Sequence, residues 1–496
     1  MYVIGLDLGT SGVKSTLFDD QARAVGGAYR EYDLISGGDG MYELDPAVLL
    51  QKSMEVLARS TEGMDAREVK AICVTSFGES FVCLDESDRV LANTMIYMDT
   101  RGALECDEFA GRFGAEKIFG ISGQYLDPMF GAYKIRWISK NRPQLLEKTK
   151  RVLFVCDFIA YMLGAEHCCD YSLAARSALF DVREKKWWGD AVAFAGIDPS
   201  VLPKPVPGGS VTGAMSRRIA ETLGMTPSVK IILGGHDQIL AALGGGAGEP
   251  GDVVNGMGTV DCFTGVMDSG GMDAEALLKY NLPIVPFVRD GLYVTYAFNM
   301  SGGCIVKWFR DNLAKDVAHL PDAYRLLDAE APADPTGLLV IPYFAGGGTP
   351  YMDGALPAVV AGLRLTANRG DLYRAFLEGE TYEMKRALDC LSEAGIPVRK
   401  ITTAGGGAGS SLWMQLRADI FERDVRIPLH REAGVLGSAI LCHAKLGLYD
   451  GIPQAQKEMV RFQSTFTPGA ENVPIYRKKY QQYQRLYKAM KGVYPC

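Results

Sequence analysis

The residues with the clearest chemical potential stand near the start, in VIGLDLGTSGVKSTLFD, Val3 to Asp19. An apolar run ends at the carboxylate of Asp7, and the turn GTSG follows before a second run. Small residues let backbone N–H groups converge on an anion, and the hydroxyls of Thr10 and Ser11 add donors. Lys14 brings a positive charge along the next strand. A carboxylate beside such a cradle suits Mg²⁺, which takes one or two carboxylates with phosphate oxygens and water. The same residues also fit a plain hairpin with a turn aspartate.

Other stretches carry chemistry of related kinds. In LGGHDQILAAL, Asp237 falls where a strand ends and a helix begins, with His236 and Gln238 beside it. It can be a general base at a strand terminus or an ordinary N-cap. TSFGES places Glu79 at the end of an apolar run, where a carboxylate can accept hydrogen bonds from two vicinal sugar hydroxyls or simply face water. IYMDTR offers an aromatic platform at Tyr97 and a pair, Asp99 and Arg101, that could equally be a surface salt bridge. Two glycine-rich turns open helices in the second half, NMSGGCIVKW with Gly302 and Gly303, and TTAGGGAGSSLW with Gly406, Gly407 and Ser410. Such turns let a flat ring or a phosphate approach the backbone closely, as a nucleotide requires. GAGEPG at Gly246–Gly251 satisfies G-x-G-x-x-G, but it follows a helical pattern and precedes a strand, so the dinucleotide-binding context is absent. No G-x-x-x-x-G-K-[ST] phosphate loop occurs.

The elements that must position these residues alternate between strand-like and helical runs, the pattern of an α/β protein. Val69–Phe77 and Ser80–Leu91 read as neighbouring strands, the second turning at Glu86–Asp88. Ala132–Asn141 and Asp157–Gly164 read as helices, with Gly164 a C-cap. The stretch Gly244–Asp252, dense in glycine and proline, is the best linker and divides the 496 residues nearly in half. The second half opens with VVNGMGTVDCFTGVMD. At an offset of 249, Gly9 meets Gly258, Thr10 meets Thr259 and Asp19 meets Asp268. Each half thus begins as strand, Gly-Thr turn, strand, which implies two related domains, 1–245 and 246–496, with a ligand cleft between them. Tyr476, Tyr480, Tyr483 and Tyr487 recur at helical spacing and read as a packing face.

Composition narrows the classes. A net charge of −7 argues against a broad nucleic-acid footprint, and no apolar run reaches the roughly 20 residues of a membrane span. The chain enters a strand-like pattern at once, without the basic and apolar regions of a secretory leader. Eleven cysteines form no C-x-x-C pair and five histidines lie far apart, so a reduced, cytoplasmic, zinc-free protein is the expectation.

Taken together and in order, these stretches resemble the FGGY carbohydrate kinases, within the larger fold that includes hexokinase and actin. The resemblance covers essentially the whole chain. GLDLGTSGVKSTLFD resembles the family's first phosphate motif, and YELDP (Tyr42–Pro46) its xEQDP stretch. YKIRWISKN (Tyr133–Asn141) resembles the K-x-x-W-x-x-x-N core of the first signature. CDYSLAARSALFDVREKKW (Cys169–Trp187) resembles TDxSxAsxTxLfDxxxxxW, and GGGAGSSLWMQLRAD (Gly405–Asp419) the adenosine segment. The resemblance implies two actin-like (ribonuclease H-like) α/β domains and transfer of the γ-phosphate of ATP, with Mg²⁺, to a hydroxyl of a small sugar. It implies Asp237 as the catalytic base, Asp7 as the Mg²⁺-associated aspartate, and Thr10, Ser11 and Lys14 as phosphate contacts. Gly258 and Thr259 would form the second phosphate motif, with Gly302, Gly303, Gly406, Gly407 and Ser410 beside the nucleotide. Glu79, Tyr97 and Asp99 would lie in the sugar site with Asp237. For assembly, a homodimer is the candidate.

Departures bear on the substrate. Glycerol kinases have an arginine before the glutamate, where this chain has Gly78, and a glycerol-contacting tyrosine where it has Met129. Xylulokinases usually carry a Met-His pair near Gly78–Glu79, which is missing. Tyr97 stands where the family often has tryptophan, and FAGGGTPYMD (Phe344–Asp353) lacks the Glu-Arg of many members. These differences argue against glycerol, and the space left by Gly78 would admit a larger acceptor. A ketopentose such as xylulose or ribulose is the expectation, with a polyol or aldonate (erythritol, gluconate) as the alternative. A non-transferring actin-like ATPase, a sugar-binding module and an NAD-dependent dehydrogenase are the rivals.

Overall fold

The run YVIGLDL is apolar almost throughout because strand β1 (Tyr2–Leu8) lies inside a sheet and is buried along most of its length. The computed structural model describes residues 1–494 apart from Asp39, Met272 and Arg431. The described chain divides into two compact units, one of residues 1–244, 283–294 and 433–459, the other of 245–282, 295–432 and 460–496.

In the first unit, β1 turns through GTSG into β2 (Gly12–Asp19), which pairs with β3 (Ala24–Glu31). On the other side of β1 run β4 (Val69–Ser76) and β6 (Lys230–His236), both parallel to it in direction, with β5 (Val211–Ala214) antiparallel at the edge. The order is therefore β5-β6-β4-β1-β2-β3. A five-residue helix, α1 (Tyr171–Ala175), and α2 (Asp237–Gly244) stand at the end of β6.

The second unit repeats this plan. Strands β7 (Asp252–Met257), β8 (Asp261–Asp268), β9 (Leu292–Asn299, within this unit from Thr295), β10 (Lys400–Gly405), β11 (Val425–Pro428) and β12 (Phe462–Phe466) run in the order β9-β8-β7-β10-β11-β12. As in the first unit, the hairpin strand β7 has a parallel partner, β10, on its far side, and β11 is parallel beyond that. Helices α3 (Gly303–Leu313), α4 (Arg369–Glu393) and α5 (Ser411–Phe421) accompany this sheet. Helix α6 (Ala433–Lys445), though late in the chain, belongs to the first unit, where its apolar residues pack on β1 and α2. The two α/β sheets and their matching hairpins bear out the duplication read from the Gly-Thr echo.

Two local expectations need correction. Phe81–Leu84 is not a neighbour of β4; it pairs antiparallel with Arg151–Phe154 in a separate two-stranded sheet. The chain bends away between them at Phe77–Ser80, where Glu79 adopts a left-handed φ of 61°. The space beside Gly78 is also filled. A Cβ there would lie 3.1 Å from His236 Cδ2 and 3.4 Å from Arg176 Cβ, so no gap for a larger sugar exists at that point. The helices Gly131–Asn141 and Val155–Leu163 form as read, and Gly164 caps the second with N–H bonds to Ala160 and Tyr161. GAGEPG lies between α2 and β7, outside any strand-turn-helix.

The tyrosine stripe is a packing face on α7 (Asn472–Val493). Tyr476 and Tyr483 are buried, and their hydroxyls donate to Glu378 and Glu383 of α4, the first at 3.2 Å. Tyr343 donates to the other oxygen of Glu383 at 2.8 Å. Burial, only partly offset by these two donors, pushes the Glu383 carboxyl up to about 7. Between the ordinary glutamate range and that value the folded chain keeps a proton that the unfolded chain has released, so this group's contribution to stability declines as pH rises to about 7. Glu383→Gln removes the titration. The Tm of the variant minus that of the native chain is expected to grow by several degrees from pH 5 to pH 8, and a pH-independent difference in thermal melts would refute it.

Candidate active site

Three parallel strands of the first unit end side by side, and each end supplies a carboxylate or leads directly to one. Asp7 lies in the last turn of β1, in register with Thr75 of β4 and with Lys14 of β2. Cross-strand partners share a face, so Asp7 and Lys14 lie side by side on the sheet. Glu79 follows the end of β4 and Asp237 the end of β6. Ligands of open α/β sheets gather outside such carboxyl ends.

The carboxylates are close enough to act on one another. Burial, then Asp7, then Glu79 push the Asp237 carboxyl up to about 8. Its side chain nevertheless keeps 29% of its surface open, so a ligand hydroxyl can reach it. Asp237 Oδ1 makes no hydrogen bond among the described residues; His236 Nε2 stands 3.4 Å away, and burial holds that imidazole well below its usual range, hence neutral.

The strand end is built from below by α1. Asp170 caps this helix, accepting from the N–H groups of Ser172 and Leu173 at 2.8 and 2.9 Å and from Ser172 Oγ at 3.0 Å. Ser172 Oγ in turn accepts the His236 N–H at 3.0 Å. Gly235, at φ 91°, lies so close that an added Cβ would be 2.5 Å from the Asp170 carboxyl. Only glycine lets the strand pass over the capped helix before Asp237.

Around Glu79 the supports are all buried. Arg176, at the C-terminal end of α1, bonds Glu79 Oε1 through Nε and Nη2. Lys134 Nζ donates to the carbonyls of Ile96 at 2.6 Å and Glu79 at 3.3 Å, so one amine fixes the backbone that presents both Glu79 and Tyr97. Burial lowers that amine to about 7 despite the carboxylates near it. Asp127, caught between desolvation and Arg176, is held above the usual carboxylate range. Tyr97 is 38% exposed, and its hydroxyl interacts with Thr10. Tyr32 secures the GTSG turn by donating to the carbonyls of Gly9 and, at 3.1 Å, Gly12. Among the described residues no backbone carbonyl takes the N–H groups of Thr10 and Ser11.

The structure therefore brings together Asp7, Thr10, Lys14, Glu79, Tyr97 and Asp237, with Ser11 on the exposed tip of the turn. Asp99 departs from the expectation of a sugar contact. It is fully buried, and its oxygens take the Tyr42 N–H at 3.0 Å and Arg101 Nη2 at 2.6 Å, while Arg101 also reaches Glu43. It is committed to fold, and the pair with Arg101 is no surface bridge. Arg176, Gln124, Asp127 and Tyr32 were not singled out from the sequence. Lys134 was quoted only as part of a signature, the one signal that could have marked it.

In the second unit the three glycine runs meet at the β7–β8 turn. The N–H groups of Gly303 and Gly302 donate to the carbonyls of Gly258 at 2.8 Å and Thr259 at 3.0 Å, satisfying donors that open α3. Gly302 is required by close approach, since a Cβ would lie 2.6 Å from Asp261 N. Gly407 packs on Met257, and Gly406 faces open space. Ser410 Oγ is the N-cap of α5, accepting from Trp413 N–H at 3.1 Å. Beneath the turn, fully buried Arg417 of α5 bonds Asn255, Asp261 and, at 2.8 Å, Glu380. This network ties both strands of the hairpin to α4 and α5. Arg417→Leu leaves two carboxylates without their cation and should cost about 3–5 kcal/mol; urea denaturation showing a loss under about 1 kcal/mol would contradict it.

Comparison with known proteins gives consistent matches. Residues 2–244 match the N-terminal domain, and 255–446 the C-terminal domain, of the FGGY family of carbohydrate kinases. The chain is 28% identical over 497 residues to a xylulose kinase of Bacillus subtilis (strain 168), covering 99% of this chain and 98% of that protein. It is 26% identical over 505 residues to a gluconokinase of Bacillus licheniformis, covering 99% and 97%. The solved structure of ligand-bound xylulose kinase from Lactobacillus acidophilus has a TM-score of 0.91 at 23% identity, over 99% of both chains, a likeness of fold.

Proposed function

The chain belongs to the FGGY family of carbohydrate kinases, and from that premise we propose that it phosphorylates a neutral ketopentose, xylulose or ribulose, with Asp237 as the catalytic base. The observation that carries this reading is the accessible Asp237 carboxyl at the end of β6, beside Glu79 and Asp7. A base held near the working pH accepts a proton efficiently as the transferring bond forms, and the carboxyl pushed up to about 8 meets that requirement. Glu79 and Tyr97 would hold the acceptor's other hydroxyls.

The donor ATP is assigned to Thr10, Ser11 and Lys14 on the first unit. On the second it is assigned to Gly258, Thr259, Gly302, Gly303, Gly406 and Gly407, with Ser410 shaping the last turn as a cap. Mg²⁺ fits the residues present: Asp237 Oδ1 is buried without a hydrogen bond, and Asp7 raises that carboxyl by its own charge. Asp7 would hold the ion, which when bound neutralises developing charge on the phosphates. Lys14 stands on the same face as Asp7 and would add a fixed positive charge there. A cytoplasmic setting belongs to the same proposal, supported by the many buried thiols.

Electrostatics favour a neutral acceptor. Asp7 and Glu79 act electrostatically on Asp237 and both raise its carboxyl, and a further carboxylate on the acceptor would be repelled in the same way. The gluconokinase among the relatives makes aldonates the necessary comparison. In a coupled ADP-release screen, ketopentoses should give kcat/KM at least about 10-fold above gluconate, and a preference for gluconate would reverse the acceptor class. Asp237→Asn should keep ATP binding in calorimetry and lose at least about 10³-fold in kcat; near-native turnover removes Asp237 as base. Glu79→Ala should raise the acceptor KM about 10-fold or more.

A further inference from the structure

The wall beside Glu79 is made by residues distant from it in sequence. Glu79 holds a left-handed backbone, and two donors keep it there: Lys134 on its carbonyl and Arg176 on its carboxylate. Arg176 has little freedom. Nη1 donates to Gln124 Oε1 at 3.0 Å, Nη2 lies 3.5 Å from Met129 Sδ, and the guanidinium sits 5.0 Å from the centre of the Phe130 ring. Its backbone leaves the helix that Asp170 clamps under Gly235. Both Nε and Nη2 fall on the same oxygen, Oε1. Among the described residues no donor reaches Oε2.

We propose that Arg176 is a positioning residue that sets acceptor specificity, by fixing Glu79 so that a single carboxylate oxygen, Oε2, is offered to one acceptor hydroxyl. The inference rests on the kinase reading above and deepens it. With Oε1 taken, Glu79 does not grip a vicinal pair with two oxygens; it reads the configuration at one carbon. The guanidinium, Met129 and Phe130 pack together on that side of Glu79, while His236 closes the space over Gly78. Lysine cannot reproduce this arrangement, because one ammonium cannot present the planar fork that holds Glu79 and Gln124 together.

The test uses the full chain and compares native protein, Arg176→Lys, Glu79→Gln and the double variant Arg176→Gln/Glu79→Gln by coupled ADP release. The panel is xylulose, ribulose and their epimers, with circular dichroism as a folding control. Arg176→Lys is expected to raise the acceptor KM about 10-fold or more with kcat within about 3-fold and the ATP KM unchanged. Discrimination between epimers at the hydroxyl read by Glu79 should fall about 10-fold. In the double variant, which removes both charges and so avoids a stranded buried ion, the acceptor KM should lie within about 2-fold of Glu79→Gln alone, since Arg176 acts through Glu79. A native acceptor KM and epimer preference in Arg176→Lys overturns the inference, as does a double variant whose acceptor KM lies well above that of Glu79→Gln alone. Native protein that releases ADP with no sugar overturns the kinase reading and the inference with it. Native turnover with an unmoved KM in the variants overturns the inference alone.

Discussion

The constraint on which the first unit depends is the crowding of like charges. Asp7, Glu79 and Asp237 lie at adjacent strand ends, and burial, then the charges of Asp7 and Glu79, raise the Asp237 carboxyl. Like charges so placed need fixed counter-charges and rigid backbones, or the site would relax apart. Lys14 and Arg176 supply the charges. The rigidity comes from Tyr32 on the GTSG turn, Asp170 under Gly235, and Lys134 on two carbonyls at once. Tyr32, Asp170 and Lys134 are all buried.

The second unit solves a different problem with the same sheet plan. Where β1 carries Asp7, β7 has Gly256 at the same offset, and the hairpin's anchor is a buried network of Arg417 with Asp261 and Glu380. Burial and Asp261 together push Glu380 well above the usual carboxylate range. The network therefore stabilises mainly by leaving no cation or acid alone in the core. The Gly-Thr turn thus recurs in both units over different supporting residues.

Much of this was legible in the chain. Apolar runs that end in Asp7 and Ser76 announce buried parallel strands, and a Gly-Thr turn at matching offsets announces the duplication, because both depend on local chain stiffness and periodicity. Asp237 could be placed at a strand–helix junction for the same reason. The neighbours of Glu79 could not. Arg176 lies 97 residues away in sequence, and no spacing rule links it to the carboxylate it holds. The reading of Asp99 failed for a related cause: an Asp-x-Arg pair looks alike whether it faces water or, as here, is sealed beneath Tyr42 and Glu43.

The sequence by itself determined the strands, the turns and the identity of the reactive groups, since backbone preference and side-chain chemistry are local properties. Only the tertiary structure decided which groups meet, and so which carboxylate is accessible and which oxygen of Glu79 is taken by Arg176. It also decided that the space over Gly78 is filled, by His236 from the end of β6 and Arg176 from the end of α1. A residue's type sets what it can do, but its burial and its distance to partners from other elements set its protonation and its reach, and those are properties of the packed chain.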